Sequence, residues 1–99
     1  VAEFEIPLGS IRVIGGRTID RVRLTRVEGD RLASRQEQID SEGDLGYTET
    51  LYYTTDRRLL VHVENWSNLG GRMSTYSIVE ISGADLAAGG RFEVLGRDA

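Results

Sequence analysis

Apolar and polar positions alternate along most of this chain, and alternation with a period of two is the signature of half-buried β-strands. Phe4, Ile6 and Leu8 alternate with Glu3, Glu5 and Pro7, which predicts a strand. Proline cannot donate to a ladder, so that strand belongs at an edge or ends there. Ile11 to Ile14 reads as a second short run, closed by a tight Gly15-Gly16 turn. From Thr18 to Val27, Val22 and Leu24 fall on one face and Arg21 and Arg23 on the other. Glu28-Gly29-Asp30 reads as a break. Arg31 to Ile39 fits either a short helix capped by Asp30 or a returning strand, and the close turn favours the strand.

The clearest element is a hairpin. Tyr47 to Thr54 and Leu59 to Trp66 are rich in Tyr, Thr, Val and Leu, and Thr55-Asp56-Arg57 supplies the turn. Pairing Thr54 with Arg58 sets Leu51, Tyr53, Leu59, Val61 and Val63 on one face. Thr50, Tyr52, Leu60, His62, Glu64 and Trp66 then share the other. Arg72 to Ser82 reads as a further strand, with apolar residues of both parities. Gly83 to Ala88 reads as one helical turn, and Arg91 to Leu95 as a final strand. The expected fold is mainly β: a curled antiparallel sheet of about six or seven strands, a small barrel or a compact sandwich, with one short helical turn. Strands that are apolar on both sides need covering by a helix, by curling, or by another subunit.

The length of 99 residues suits a single domain over residues 1–99. No window approaches the roughly 20 apolar residues of a membrane-spanning helix. No leader of basic then apolar residues opens the sequence, and there is no Cys, so a cytoplasmic protein is the expectation. The missing Cys also removes thiolate metal sites and thiol nucleophiles. All 12 basic residues are Arg, which favours bidentate contacts with carboxylates and excludes Schiff-base chemistry.

The net charge of −4 hides a strong asymmetry. Residues 11–35 carry a net +4, including Arg21, Arg23 and Arg26, and residues 36–56 carry a net −6, including Glu42 and Asp44. The two sections can pair within the fold or across a subunit boundary. The negative total and the lack of aromatic residues in the basic section argue against nucleic acid as partner. The acidic section could instead imitate nucleic acid on the basic groove of a protein it inhibits.

Catalytic signatures are weak. His62 is the sole histidine and shares a predicted face with Glu64, so a small hydrolase using that pair is one alternative. No Gly-x-Ser-x-Gly elbow accompanies it. Asp40-Ser41-Glu42-Gly43-Asp44 lacks the ligand spacing of a calcium loop and reads as solvated. Gly-Gly-Arg occurs at Gly15, Gly70 and Gly89, in each case as a turn followed by the first residue of a strand. The function expected is therefore a non-catalytic protein-interaction module without cofactor or metal, self-associating or binding a protein partner. Its candidate face is Tyr52, Leu60, His62, Glu64 and Trp66, an amphipathic patch of the kind enriched at interfaces.

Overall fold

The computed structural model describes residues 2–39 and 41–88. Five antiparallel strands close into one barrel in the order β1-β2-β3-β4-β5. They are β1 (Ala2–Ile14), β2 (Arg17–Gln38), β3 (Leu45–Thr54), β4 (Leu59–Ser67) and β5 (Arg72–Ile81). The short helix α1 (Gly83–Ala88) follows. The barrel thus replaces the alternative of a sandwich, and among the described residues the strands number five where about six or seven were expected for the chain. The final strand expected at residues 91–95 lies outside the described residues.

The count falls because two expected breaks are not breaks. Phe4–Leu8 and Ile11–Ile14 belong to one continuous strand. Pro7 is tolerated inside it because this stretch of β1 has β2 on one side only; pairing with β5 begins at Gly9. Likewise β2 runs for 22 residues straight through Glu28-Gly29-Asp30. What looked like a turn is the point where β2 changes neighbours: Gly29 pairs with Ala2 of β1 and with Thr54 of β3. A side chain there would overlap the Tyr53 carbonyl, so glycine is required for the close approach of the backbones. Just beyond, an irregularity between Arg31 and Ala33 leaves Leu32 bulged and exposed.

The central hairpin has the register expected from its turn. Thr54 N–H donates to the Arg58 carbonyl at 2.9 Å, and Leu51 faces Val61 and Tyr52 faces Leu60. Both faces are buried, for different reasons. Tyr52 and Leu60 join Ile6 and Val27 in a cluster flanked by Phe4 and Ile78, so all five strands contribute to it. This is the barrel interior. Leu51, Val61, Val63 and Ile81 form a second cluster on the opposite side of β3, β4 and β5. Val61 and Val63 have no exposed surface within a single copy of the chain. The hairpin therefore needs no second subunit to cover it.

A buried ion pair links the basic and acidic sections. Glu49 is 2% exposed, and Arg35 approaches its Oε1 through Nε at 2.8 Å and through Nη2 at 2.7 Å. Beside it the Tyr47 hydroxyl donates to Glu37 at 3.2 Å. Among the described residues, no helix is long and apolar enough to cross a membrane.

Candidate functional site

The five residues expected to form an outer interaction face all line one side of β3 and β4, but that side is the inner one. Closure of the sheet turns Tyr52 and Leu60 into core, at 6% and 8% exposure. They touch Phe4 and other core residues, and the Phe4 and Tyr52 rings lie 5.1 Å apart. A partner cannot reach them without opening the barrel. His62, Glu64 and Trp66 continue the same face towards the open end and are only half-buried.

His62 sits where the β1–β5 pairing stops. Its Nε2 lies 2.7 Å from the Pro7 carbonyl oxygen, which only accepts, so Nε2 carries the proton. Its ring stacks on Tyr76, with centroids 5.8 Å apart and an interplanar angle of 16°. The imidazole therefore fastens β4 to the part of β1 that lacks a β5 partner. That engagement leaves Nε2 without a lone pair for general-base work. Glu64 instead faces Tyr76 directly across the β4–β5 ladder. Burial, then the Glu64 charge, pushes the Tyr76 phenol up from its ordinary value.

Trp66 lies beside Glu64 at the open end of the barrel. Its ring crosses the backbone at Gly46, where any Cβ would overlap the indole. Glu64 and Trp66 share an open cavity of about 350 Å³ with Thr48, Arg72 and Ser74. Sequence reasoning placed Tyr76 on a strand face but did not connect it to His62. The β4–β5 register, with His62 opposite Ile78, makes that connection. Among the described residues, no group of three His, Asp or Glu side chains is arranged to hold a metal ion.

The charged residues lie elsewhere. Arg21, Arg23 and Arg26 are exposed on β2, in the ribbon it forms with β1. Every residue from Arg12 to Arg21 is exposed. Arg26 lies 3.4 Å from Glu3, an exposed pair of little energetic weight. No carboxylate among the described residues lies within ion-pair distance of Arg12, Arg17, Arg21 or Arg23. Between them project Ile14, Ile19 and Leu24, at 43%, 49% and 64% exposure.

The same ribbon has an open edge. β2 meets β3 only from Gly29 onward, and the Glu28 carbonyl accepts the Thr55 N–H at 2.9 Å, so Thr18 to Val27 has β1 on one side and no strand of the described residues on the other. Asp20 Oδ1 accepts the Val22 N–H at 2.9 Å. That bond covers one edge donor with a carboxylate.

Glu42 is exposed and Asp44 half-buried in the loop between β2 and β3. The acids around them have internal partners. Glu49 holds Arg35, Glu37 takes the Tyr47 hydroxyl, and Asp56 is held by the Thr54 hydroxyl and by Arg58 at 2.8 Å. Comparison with protein-family models, with curated proteins and with solved structures finds no match to this chain.

Proposed function

We propose that this chain is a non-catalytic protein-interaction module, and that its β1–β2 arm docks an acidic, extended segment of a protein partner. The observation that carries this reading is the open edge of β2 from Thr18 to Val27, which ends where the Glu28 carbonyl accepts the Thr55 N–H. An unpaired edge is a template for strand addition: backbone hydrogen bonds supply affinity and alternate side chains supply specificity. Here those side chains include Arg21 and Arg23, which have no ion-pair partner among the described residues, interleaved with exposed Ile19 and Leu24. An acidic strand satisfies both the edge and the guanidinium groups. Pairing two arms of like charge does not, so a partner is favoured over a second copy. We place this activity in the cytoplasm, in keeping with the Cys-free sequence.

The other readings fit less well. An acidic mimic of nucleic acid needs a run of free carboxylates from Glu37 to Glu49; Glu42 is exposed and Asp44 half-buried there, but Glu37 and Glu49 already have partners inside the fold. Direct nucleic-acid binding would use the same Arg residues, but residues 9–28 contain no aromatic side chain for base stacking.

Isothermal titration with two synthetic peptides tests the proposal: one alternating Glu and Val, one alternating Lys and Val. The acidic peptide is expected to bind, more weakly at higher salt, and the basic one not at all. Equal binding of both, or of neither, removes the reading. A mobility shift of single-stranded DNA at low salt, without peptide binding, would replace it with the nucleic-acid reading.

A further inference from the structure

The open end of the barrel has no part in that docking reading, yet it is chemically organised. Two adjoining recesses meet there, of about 350 Å³ and about 310 Å³. They share Glu64, Arg72, Met73 and Ser74 as common walls. The first adds the Trp66 ring and Thr48. The second adds Ile11, Val13 and Tyr76. The volumes lie at the lower end for small-molecule sites.

The charges inside are one carboxylate and one guanidinium, and they are not paired with each other. No ion pair of Glu64 or Arg72 exists among the described residues. Glu64 is half-buried, and its neighbour across the ladder, Tyr76, is a neutral phenol on the same cavity wall. A carboxylate partly removed from water gains most from a cation. The Trp66 indole beside it adds a surface that attracts cations through its π-face. Arg72 is exposed at the rim, and its fork of donors matches a carboxylate. Ile11, Val13 and Met73 supply apolar wall between the two.

We propose that this cavity binds a zwitterionic small molecule of the apolar α-amino-acid class. The ammonium sits at Glu64 beside Trp66, the carboxylate on Arg72, and the side chain against Ile11 and Val13. A single positive or negative ligand would leave one of the two protein charges facing its own sign. A zwitterion satisfies both.

Trp66 is the sole tryptophan, so its fluorescence reports on the cavity directly. The probes are L-leucine, N-acetyl-leucine without the ammonium, and leucinamide without the carboxylate. Leucine is expected to give a saturable change, and each capped analogue to bind about tenfold to a hundredfold more weakly, the loss of one charge-assisted contact. Glu64→Gln should abolish the preference for leucine over N-acetyl-leucine. Arg72→Met, at an exposed position that does not endanger folding, should abolish the preference for leucine over leucinamide. The proposal is overturned if leucine gives no saturable change up to about 1 mM. It is equally overturned if the three probes bind alike, or if both variants keep the wild-type preferences. The arm peptides are read separately, so failure here leaves the docking proposal standing, and the reverse.

Discussion

The hairpins β1–β2 and β3–β4 are built from similar residues and end in opposite environments. Both alternate β-branched and polar positions, and both turn tightly. In β3–β4, Leu51, Tyr52, Leu60, Val61 and Val63 are all buried, on both faces of the ribbon. In β1–β2, ten consecutive residues from Arg12 to Arg21 are exposed. The difference comes from neighbours. β3 and β4 lie inside the barrel wall, with β2 and β5 beyond them, whereas the arm stretch of β2 has β1 alone. The base of this ribbon gives Phe4, Ile6 and Val27 to the core and is tied to β5 through Gly9 to Val13, whereas its tip from Arg12 to Arg21 buries little in return. Strand-forming residues that bury nothing in their own fold are the ones left available to a partner.

The sharpest test of this division is truncation of one leucine in each hairpin. Leu60→Ala empties part of the five-strand core and is expected to cost about 2–5 kcal/mol. Leu24→Ala removes an exposed side chain and should change stability by no more than about 0.5 kcal/mol. Urea unfolding followed by circular dichroism measures both. Equal losses would mean that the arm is structural and would end the comparison.

The Arg35–Glu49 pair ranks next. Glu49→Leu alone leaves a guanidinium without its carboxylate. Because the Arg35 side chain keeps 35% exposure, the expected loss is about 2–3 kcal/mol, below that of a fully buried pair. The double variant Arg35→Leu with Glu49→Leu should recover most of it, since apolar replacement of a buried pair is often neutral. Recovery is read in the same unfolding assay as a non-additive cycle.

These two contrasts also show where sequence reasoning succeeds. The β3–β4 register was legible because turn and alternation are local, and Thr54 does meet Arg58. Tyr52, Leu60, His62, Glu64 and Trp66 do share a face, as alternation requires. Which way that face points was not legible. It depends on five strands closing, and closure rests on contacts such as His62 with Pro7, 55 residues apart. The passage of β2 through Gly29 was hidden for the same reason. A glycine between two acids reads as a turn unless the second neighbour, Thr54, is known to lie against it. The charge asymmetry was visible in composition, but only the fold separates the acids with internal partners from the Arg residues without them.

Alkaline pH probes the barrel side of the comparison. Tyr47, Tyr52 and Tyr76 all have phenols raised above their ordinary value of 10.0, in each case chiefly by burial. The folded state therefore disfavours their ionisation. Their stabilising contribution is present in full below pH 10.0 and is lost as pH rises through the higher folded values. Unfolding midpoints should therefore fall as pH is raised above 10.0. Tyr52→Phe should flatten that dependence, whereas no change in the arm should affect it.

The smallest effect on stability is expected at Asp20, where the arm guards its own edge. The Asp20 carboxylate accepts the Val22 N–H, a donor that an added strand would otherwise take. It also lowers the positive charge that an acidic segment meets. Asp20→Ala should leave stability within about 0.5 kcal/mol, because an exposed local bond is lost to water rather than to a void. Affinity for the acidic Glu/Val peptide should nevertheless rise, by roughly threefold to tenfold for one freed donor and one carboxylate removed. Arg21→Glu with Arg23→Glu should lower the same affinity by more than tenfold at equal stability. Titration calorimetry beside urea unfolding separates the two readouts. An Asp20→Ala variant that loses stability and gains no affinity would make Asp20 part of the scaffold. The arm's open edge would then carry no docking role.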